Sequence, residues 1–174
     1  MFFCRITYDL LSILNPNIMA NCDIPWNFSW VIPNVLAATS CPETVNQLDF
    51  LRKEGIHHLV TLSPDHVPPI TNYNGLQWSY IPIIEFEAPS LDDIENFITI
   101  CKKAREKQQA IAVHCRAGRG RTGVMIACYF VYFQDMSPDT AIAQIRALRP
   151  WSVETYAQEA SVRHYRDHLR SIIN

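Results

Sequence analysis

Apolar residues recur in two rhythms along this chain. Phe28-Ser29-Trp30-Val31-Ile32 and Val35-Leu36-Ala37 are short runs on either side of Pro33-Asn34, the pattern of a hairpin of two short strands about a turn. Over 42–54 the spacing becomes helical, with Val45, Leu48 and Leu51 three residues apart on one face and Gly55 placed to follow the C-cap. A buried strand is predicted over 58–62, then a Pro- and Asn-rich loop over 63–75, a strand over 76–81 and a loop over 82–89. Ser90 is the expected N-cap of the next helix, with Asp93 in a capping-box position. Ile94, Phe97, Ile98, Cys101 and Ala104 supply its inner face, while Lys102, Lys103, Arg105 and Lys107 suit its solvated C-terminal end.

The short apolar run 110–113 reads as a strand, and 122–133 as a helix apolar enough to be buried. Ser137-Pro138 caps a helix predicted to reach about residue 149, and 154–172 forms the last. Strands alternating with helices and ending in a helical run imply an α/β fold of one domain, with a mostly parallel central sheet flanked by helices.

Composition narrows the functional classes. The 174 residues are 48% hydrophobic, enough for one real core. A formal charge of −2 argues against a general binder of nucleic acid or membrane surfaces, and no stretch approaches the roughly 20 apolar residues of a membrane span. The six cysteines, Cys4, Cys22, Cys41, Cys101, Cys115 and Cys128, form no CxxC pair and no zinc spacing with histidine, so reduced thiols are expected rather than a disulfide framework or a metal site. Residues 1–25 read as an N-terminal extension, with an internal start at Met19-Ala20 as one option, and 26–174 as the domain proper.

The candidate chemistry lies in ten consecutive residues, His114-Cys115-Arg116-Ala117-Gly118-Arg119-Gly120-Arg121-Thr122-Gly123, at the turn from strand to helix. A helix N-terminus offers unpaired N–H groups and the positive end of the dipole, and a glycine-rich turn can wrap those donors round one phosphate. Residues 116–121 are thus the expected phosphate-binding loop, with Arg116, Ala117, Gly118, Arg119 and Gly120 contributing backbone amides. Arg121 adds a planar fork matched to two phosphate oxygens. A thiol in such a field ionises far more readily, from about 8.5 for a free cysteine into a range of roughly 3.5–7.5. Cys115 is therefore the expected nucleophile, attacking phosphorus to give a phosphocysteine intermediate. Thr122 is placed to donate its hydroxyl to the sulfur, and His114 to order the loop by hydrogen bonding. A nucleotide P-loop is excluded, since GxxxxGK[ST] requires a lysine where Val124 stands.

These residues resemble the HCxxGxxR[ST] signature of protein tyrosine and dual-specificity phosphatases, present in full from His114 to Thr122. The resemblance to small atypical members extends over Asn27-Phe28-Ser29-Trp30-Val31-Ile32-Pro33, Ala127-Cys128-Tyr129, Ala141-Ile142-Ala143-Gln144-Ile145-Arg146, and Arg149-Pro150 with Ser152-Val153-Glu154-Thr155-Tyr156. It implies a protein-tyrosine-phosphatase-like fold, a monomer without metal or cofactor, and phosphoprotein substrates carrying phosphotyrosine or phosphoserine/threonine in the cytosol or nucleus. It also implies a general acid on a loop some thirty residues before the cysteine. No aspartate stands there, and matching the acid-Phe pair gives Glu85, with Glu87 as second choice. Gln158 matches a glutamine that in some relatives orients the hydrolytic water, the alternative being an ordinary solvated side chain.

Arg116 and Arg119 make the loop more basic than is usual in the family and liken it to the HCKAGKGRTG loop of a phosphoinositide phosphatase. They leave room for polyanionic substrates, a phosphoinositide or an RNA 5′-triphosphate. Two other classes stay open: a phosphate-binding pseudoenzyme, suggested by the unusual Glu85, and a redox sensor on Cys115, for which the sequence marks no resolving thiol.

Overall fold

Asn34 takes φ 58°, a left-handed conformation that asparagine tolerates, and closes the hairpin between β1 (Ser29–Ile32) and β2 (Leu36–Thr39). The structure, a computed structural model, describes residues 23–173. The expected N-terminal extension therefore lies outside the described residues up to position 22, together with Met19-Ala20, Cys4 and Cys22. β1 and β2 pair antiparallel, whereas β3 (Ile56–Thr61), β4 (Gln77–Tyr80) and β5 (Ala110–His114) join β2 through parallel ladders in the order β1-β2-β5-β3-β4. The expected mostly parallel sheet is present. β5 is its central strand and is buried along its whole length, as a strand covered on both faces must be.

Period two sorts the strand residues between two layers. Leu36, Ala38, Val60, Ile111 and Val113 face the larger core, and Ala37, Leu59 and Ala112 face the smaller. The smaller is covered by α1 (Val45–Lys53), through Leu48 and Leu51. Val45, expected on the same inner face, is instead half-exposed at the first position after the cap, because the helix starts at Thr44, whose hydroxyl accepts from the Gln47 amide.

The larger core is formed by α2 (Leu91–Glu106), α3 (Gly120–Phe133), α4 (Pro138–Leu148) and α5 (Tyr156–Ile173). Ser90 and Asp93 make the predicted capping box, and all five expected inner residues of α2 are buried. α3 begins at Gly120, two residues earlier than its apolar pattern suggests, and every residue from Gly120 to Val131 is buried. Among the described residues no helix is long and apolar enough to cross a membrane.

The register fixes where the sheet presents chemistry. Thr39 of β2 and Thr61 of β3 both stand opposite His114, so three parallel strands end level with one another immediately before Cys115. In parallel sheets the carboxyl ends of the strands are where ligands bind.

Candidate active site

Cys115 leaves the end of β5, and five residues later the chain enters α3. Between these points the backbone carbonyls are tied to the surrounding protein one after another. Cys115 O meets His114 Nδ1 at 3.2 Å, and Arg116 O accepts from the Cys41 amide at 3.1 Å. Ala117 O and Gly118 O accept from Asn27 Nδ2 at 2.9 and 3.2 Å, and Gly118 O accepts also from Arg149 Nη2 at 2.8 Å. In a planar trans peptide the N–H points opposite to its carbonyl, so the amides of Arg116, Ala117, Gly118 and Arg119 turn away from these partners. Carbonyls outward and amides inward is the construction of an anion cradle, and the N-terminus of α3 adds its dipole.

Gly118 makes the bend possible. Its φ is +67°, and a Cβ there would lie 2.3 Å from Thr39 O, so both conformation and space require glycine.

Arg121, in the first turn of α3, is almost wholly buried. Its Nη1 donates to Ile83 O at 2.9 Å and to Ser63 Oγ at 3.3 Å, which holds the fork in place before any phosphate arrives. Ile83 is itself anchored, its amide donating to Leu62 O.

Two residues on, Glu85 reaches the loop: its Oε1 lies 2.9 Å from Arg116 Nε and 3.8 Å from Arg121 Nη2. Phe86 turns the chain at φ 63°, and Glu87, exposed, donates its amide to Ile84 O. The structure thus brings Glu85 to the cradle, while Glu87 meets it only through its backbone, where its carbonyl accepts from Gln158 Nε2 at 3.2 Å.

Gln158 is fully buried, so the solvated alternative is overturned. Its Oε1 accepts from the Glu154 amide at 2.8 Å, and it stands beside Gly120, where an added Cβ would come within about 3 Å of both its amide atoms. Glu154 Oε2 accepts from the Gly120 amide at 2.9 Å, placing a carboxylate on a donor of the loop itself.

His114 is wholly buried, and burial, reinforced by the Arg121 charge and opposed by its bond to the Cys115 carbonyl, pushes its pKa down to about 4. It is a neutral hydrogen-bonding group at working pH, in keeping with the loop-ordering role expected of it, with Thr61 Oγ1 2.7 Å from its Nε2. Thr122 Oγ1 is buried and has no hydrogen-bond partner among the described residues, so the expected bond to the Cys115 sulfur is not formed. Arg116 is paired to Glu85, and the Arg119 guanidinium lies 5.2 Å over the Trp26 ring. Cys41, Cys101, Cys115 and Cys128 carry free thiols, and burial pushes the Cys41 thiol up to about 12, with Glu43 and Cys115 adding to the effect.

Sequence reasoning missed the outer supports. Asn27, Arg149 and Glu154 lay in the family-like segments but carried no assigned role, and the first two gave a chemical signal: a turn asparagine, at φ 56°, and an arginine at the C-cap of α4, directly before Pro150. Ser63 and Thr61 gave no signal, because each acts on the loop from more than fifty residues away in the chain.

Comparison with known proteins agrees with this geometry. Residues 25–162 match the family model described as "PTP-SAK: Swiss Army Knife protein, DSP-PTPase phosphatase domain". The chain is 31% identical over 169 residues to protein tyrosine phosphatase domain-containing protein 1 of Bos taurus, covering 84% of this chain and 21% of that protein. It is 28% identical over 136 residues to the phosphatidylglycerophosphate phosphatase PTPMT1 of Arabidopsis thaliana, covering 75% and 40%. It thus spans about a fifth and two fifths of these relatives' lengths. The fold superposes on the crystal structure of human DUSP28 with a TM-score of 0.72 at 19% identity, over 84% of this chain and 97% of the other. A cysteine at the mouth of an amide-lined loop, a buried arginine six residues on and a family match across the whole sheet lead to one conclusion: the chain belongs to the dual-specificity and protein tyrosine phosphatase family of cysteine-based phosphatases.

Proposed function

We propose that the chain hydrolyses phosphomonoesters on proteins, phosphotyrosine and phosphoserine/threonine alike, through a phosphocysteine intermediate. The observation that supports this most strongly is the loop whose carbonyls from Cys115 to Gly118 are all tied outward beside a pre-held Arg121. The inward amides and the guanidinium bind the three non-bridging oxygens and stabilise their charge in the transition state. The Cys115 thiolate attacks phosphorus in line, the S–P bond forms, the ester P–O bond breaks, and Glu85 passes its proton to the departing oxygen. In the second step Glu85 takes a proton from water as that water attacks phosphorus, the S–P bond breaks, and phosphate leaves. Gln158, bonded to the Glu85 loop through Glu87 O, supports the water, and the partnerless Thr122 hydroxyl is available to the departing thiolate. Reduced thiols support a reading in which this chemistry takes place in the cytosol or nucleus.

The test is hydrolysis of p-nitrophenyl phosphate. Cys115→Ser should abolish it and Arg121→Lys should lower kcat/KM by about 100-fold or more; turnover retained in the cysteine variant rules the mechanism out. Glu85→Gln should slow esters with poor leaving groups far more than esters with good ones, and an equal effect removes Glu85 as the acid.

A second reading, a polyanionic substrate such as a phosphoinositide or an RNA 5′-triphosphate, is favoured by Arg116 and Arg119 and by the similarity to a phosphatidylglycerophosphate phosphatase. Turnover of phosphotyrosyl peptide, phosphothreonyl peptide, phosphoinositide and RNA 5′-triphosphate, measured side by side, separates the two.

A further inference from the structure

We propose that Thr61 and Trp78 are positioning residues for the nucleophile, acting through His114. The inference rests on the reading of Cys115 as the reactive thiol. Trp78 Nε1–H donates to Thr61 Oγ1 at 2.9 Å, Thr61 Oγ1 is 2.7 Å from His114 Nε2, and His114 Nδ1 is 3.2 Å from Cys115 O. Three contacts thus run without a break from Trp78, 41% exposed on β4, to the peptide of the nucleophile.

Donor and acceptor counting fixes the direction of every bond. An indole N–H can only donate, so Thr61 Oγ1 accepts there and keeps one hydrogen to give. His114 Nδ1 faces a carbonyl, which can only accept, so Nδ1 carries the proton. His114 is neutral, so Nε2 has a lone pair and takes the Thr61 hydrogen. The opposite tautomer would set a ring lone pair against the Cys115 carbonyl and a ring N–H against the Thr61 hydroxyl hydrogen, stranding buried polar groups on both sides of the ring.

What the relay controls is the peptide between Cys115 and Arg116. With its carbonyl held by His114 Nδ1–H, its N–H must point the other way, into the loop, as the first of the amides that would stabilise a thiolate and bind phosphate. Thr61 and His114 are paired in the parallel register, so the sheet delivers both partners at the same height, and the Trp78 ring is steadied by Tyr80, 5.8 Å away between centroids. The other charged or titratable groups on the loop around the nucleophile are Arg116, Arg119 and Arg121 from the loop and α3, Glu85 from the loop after β4, Glu154 before α5, and Cys41 after β2.

The experiment reads the thiol and the ring separately. Iodoacetate alkylation of Cys115, followed by mass spectrometry of its peptide, is compared across pH in the full chain. Thr61→Val keeps the side-chain shape and removes the hydroxyl; it should slow alkylation about tenfold at about pH 5.5 and less than twofold at about pH 8.5, with Thr61→Ser restoring the wild-type curve. Trp78→Phe should give a smaller loss in the same direction. Nitrogen-15 NMR of the wild-type chain should show His114 protonated on Nδ1. A proton on Nε2, or a Thr61→Val curve that superimposes on wild type, overturns the inference. Should Thr61→Val fail to fold, the wild-type tautomer and the surface variant Trp78→Phe still decide it. None of these readouts needs turnover: absence of phosphatase activity in the wild type would sink the proposed function and leave the relay standing or falling on its own.

Discussion

Gly118 shows how little freedom single residues of the loop have. A methyl group there would press on Thr39 O and would have to adopt a positive φ, so Gly118→Ala should deform the loop rather than the fold. Its kcat/KM should fall by about 100-fold while the circular dichroism spectrum is kept; a variant with near wild-type turnover would show that the amides are not the binding donors. Glu154 makes the opposite prediction. Its carboxylate occupies the Gly120 amide, a donor that a phosphate oxygen would also seek. Glu154→Gln removes the charge and should strengthen inhibition by inorganic phosphate several-fold, read as a lower inhibition constant; weaker inhibition would mean that Glu154 helps to shape the loop instead of competing with the anion.

At the scale of elements, the site depends on how α3 meets the segment between α4 and α5. A Cβ on Gly123 would lie 2.7 Å from Ser152 Cβ and 2.8 Å from the Val153 amide, so helix and segment are in contact with no room for a methyl. Gly123→Ala should push that segment away from α3, costing about 1–3 kcal/mol of stability as an overpacked contact does. Thermal unfolding measures it, and an unchanged midpoint would show the segment to be yielding. This contact also explains what the sequence could and could not disclose. The capping box of α2, the all-apolar β5 and the His114–Thr122 signature are local patterns, and each was legible from residues adjacent in the chain. Glu85 was legible only by resemblance. Gln158 looked like any glutamine on an amphipathic helix, because one of its hydrogen-bond partners, the Glu87 carbonyl, is brought to it only by the folded chain.

For the whole molecule, the buried neutral His114 links the active site to pH. The unfolded chain binds a proton at an ordinary histidine near 6.5, whereas the folded chain holds off until about 4. Between those values the unfolded state carries more protons, so unfolding free energy falls as pH drops from 6.5 towards 4, by up to ~3 kcal/mol at 1.36 kcal/mol per pH unit. His58, lowered by burial and by Lys107, adds in the same direction. Urea titrations at pH 7 and pH 4.5 should show a smaller loss on acidification for His114→Asn than for wild type; equal losses would dissociate His114 from acid stability.

The props of the loop come from five separate segments of the described chain: Asn27 before β1, Cys41 after β2, Ser63 after β3, Ile83 after β4 and Arg149 after α4. The proposed phosphomonoester hydrolysis is therefore a gauge of the fold, since no stretch shorter than Asn27 to Arg149 contains all five of these props together with the ten-residue signature. In a denaturant series, product formation should vanish at the same midpoint as helical signal, with no partly folded species still able to turn over substrate.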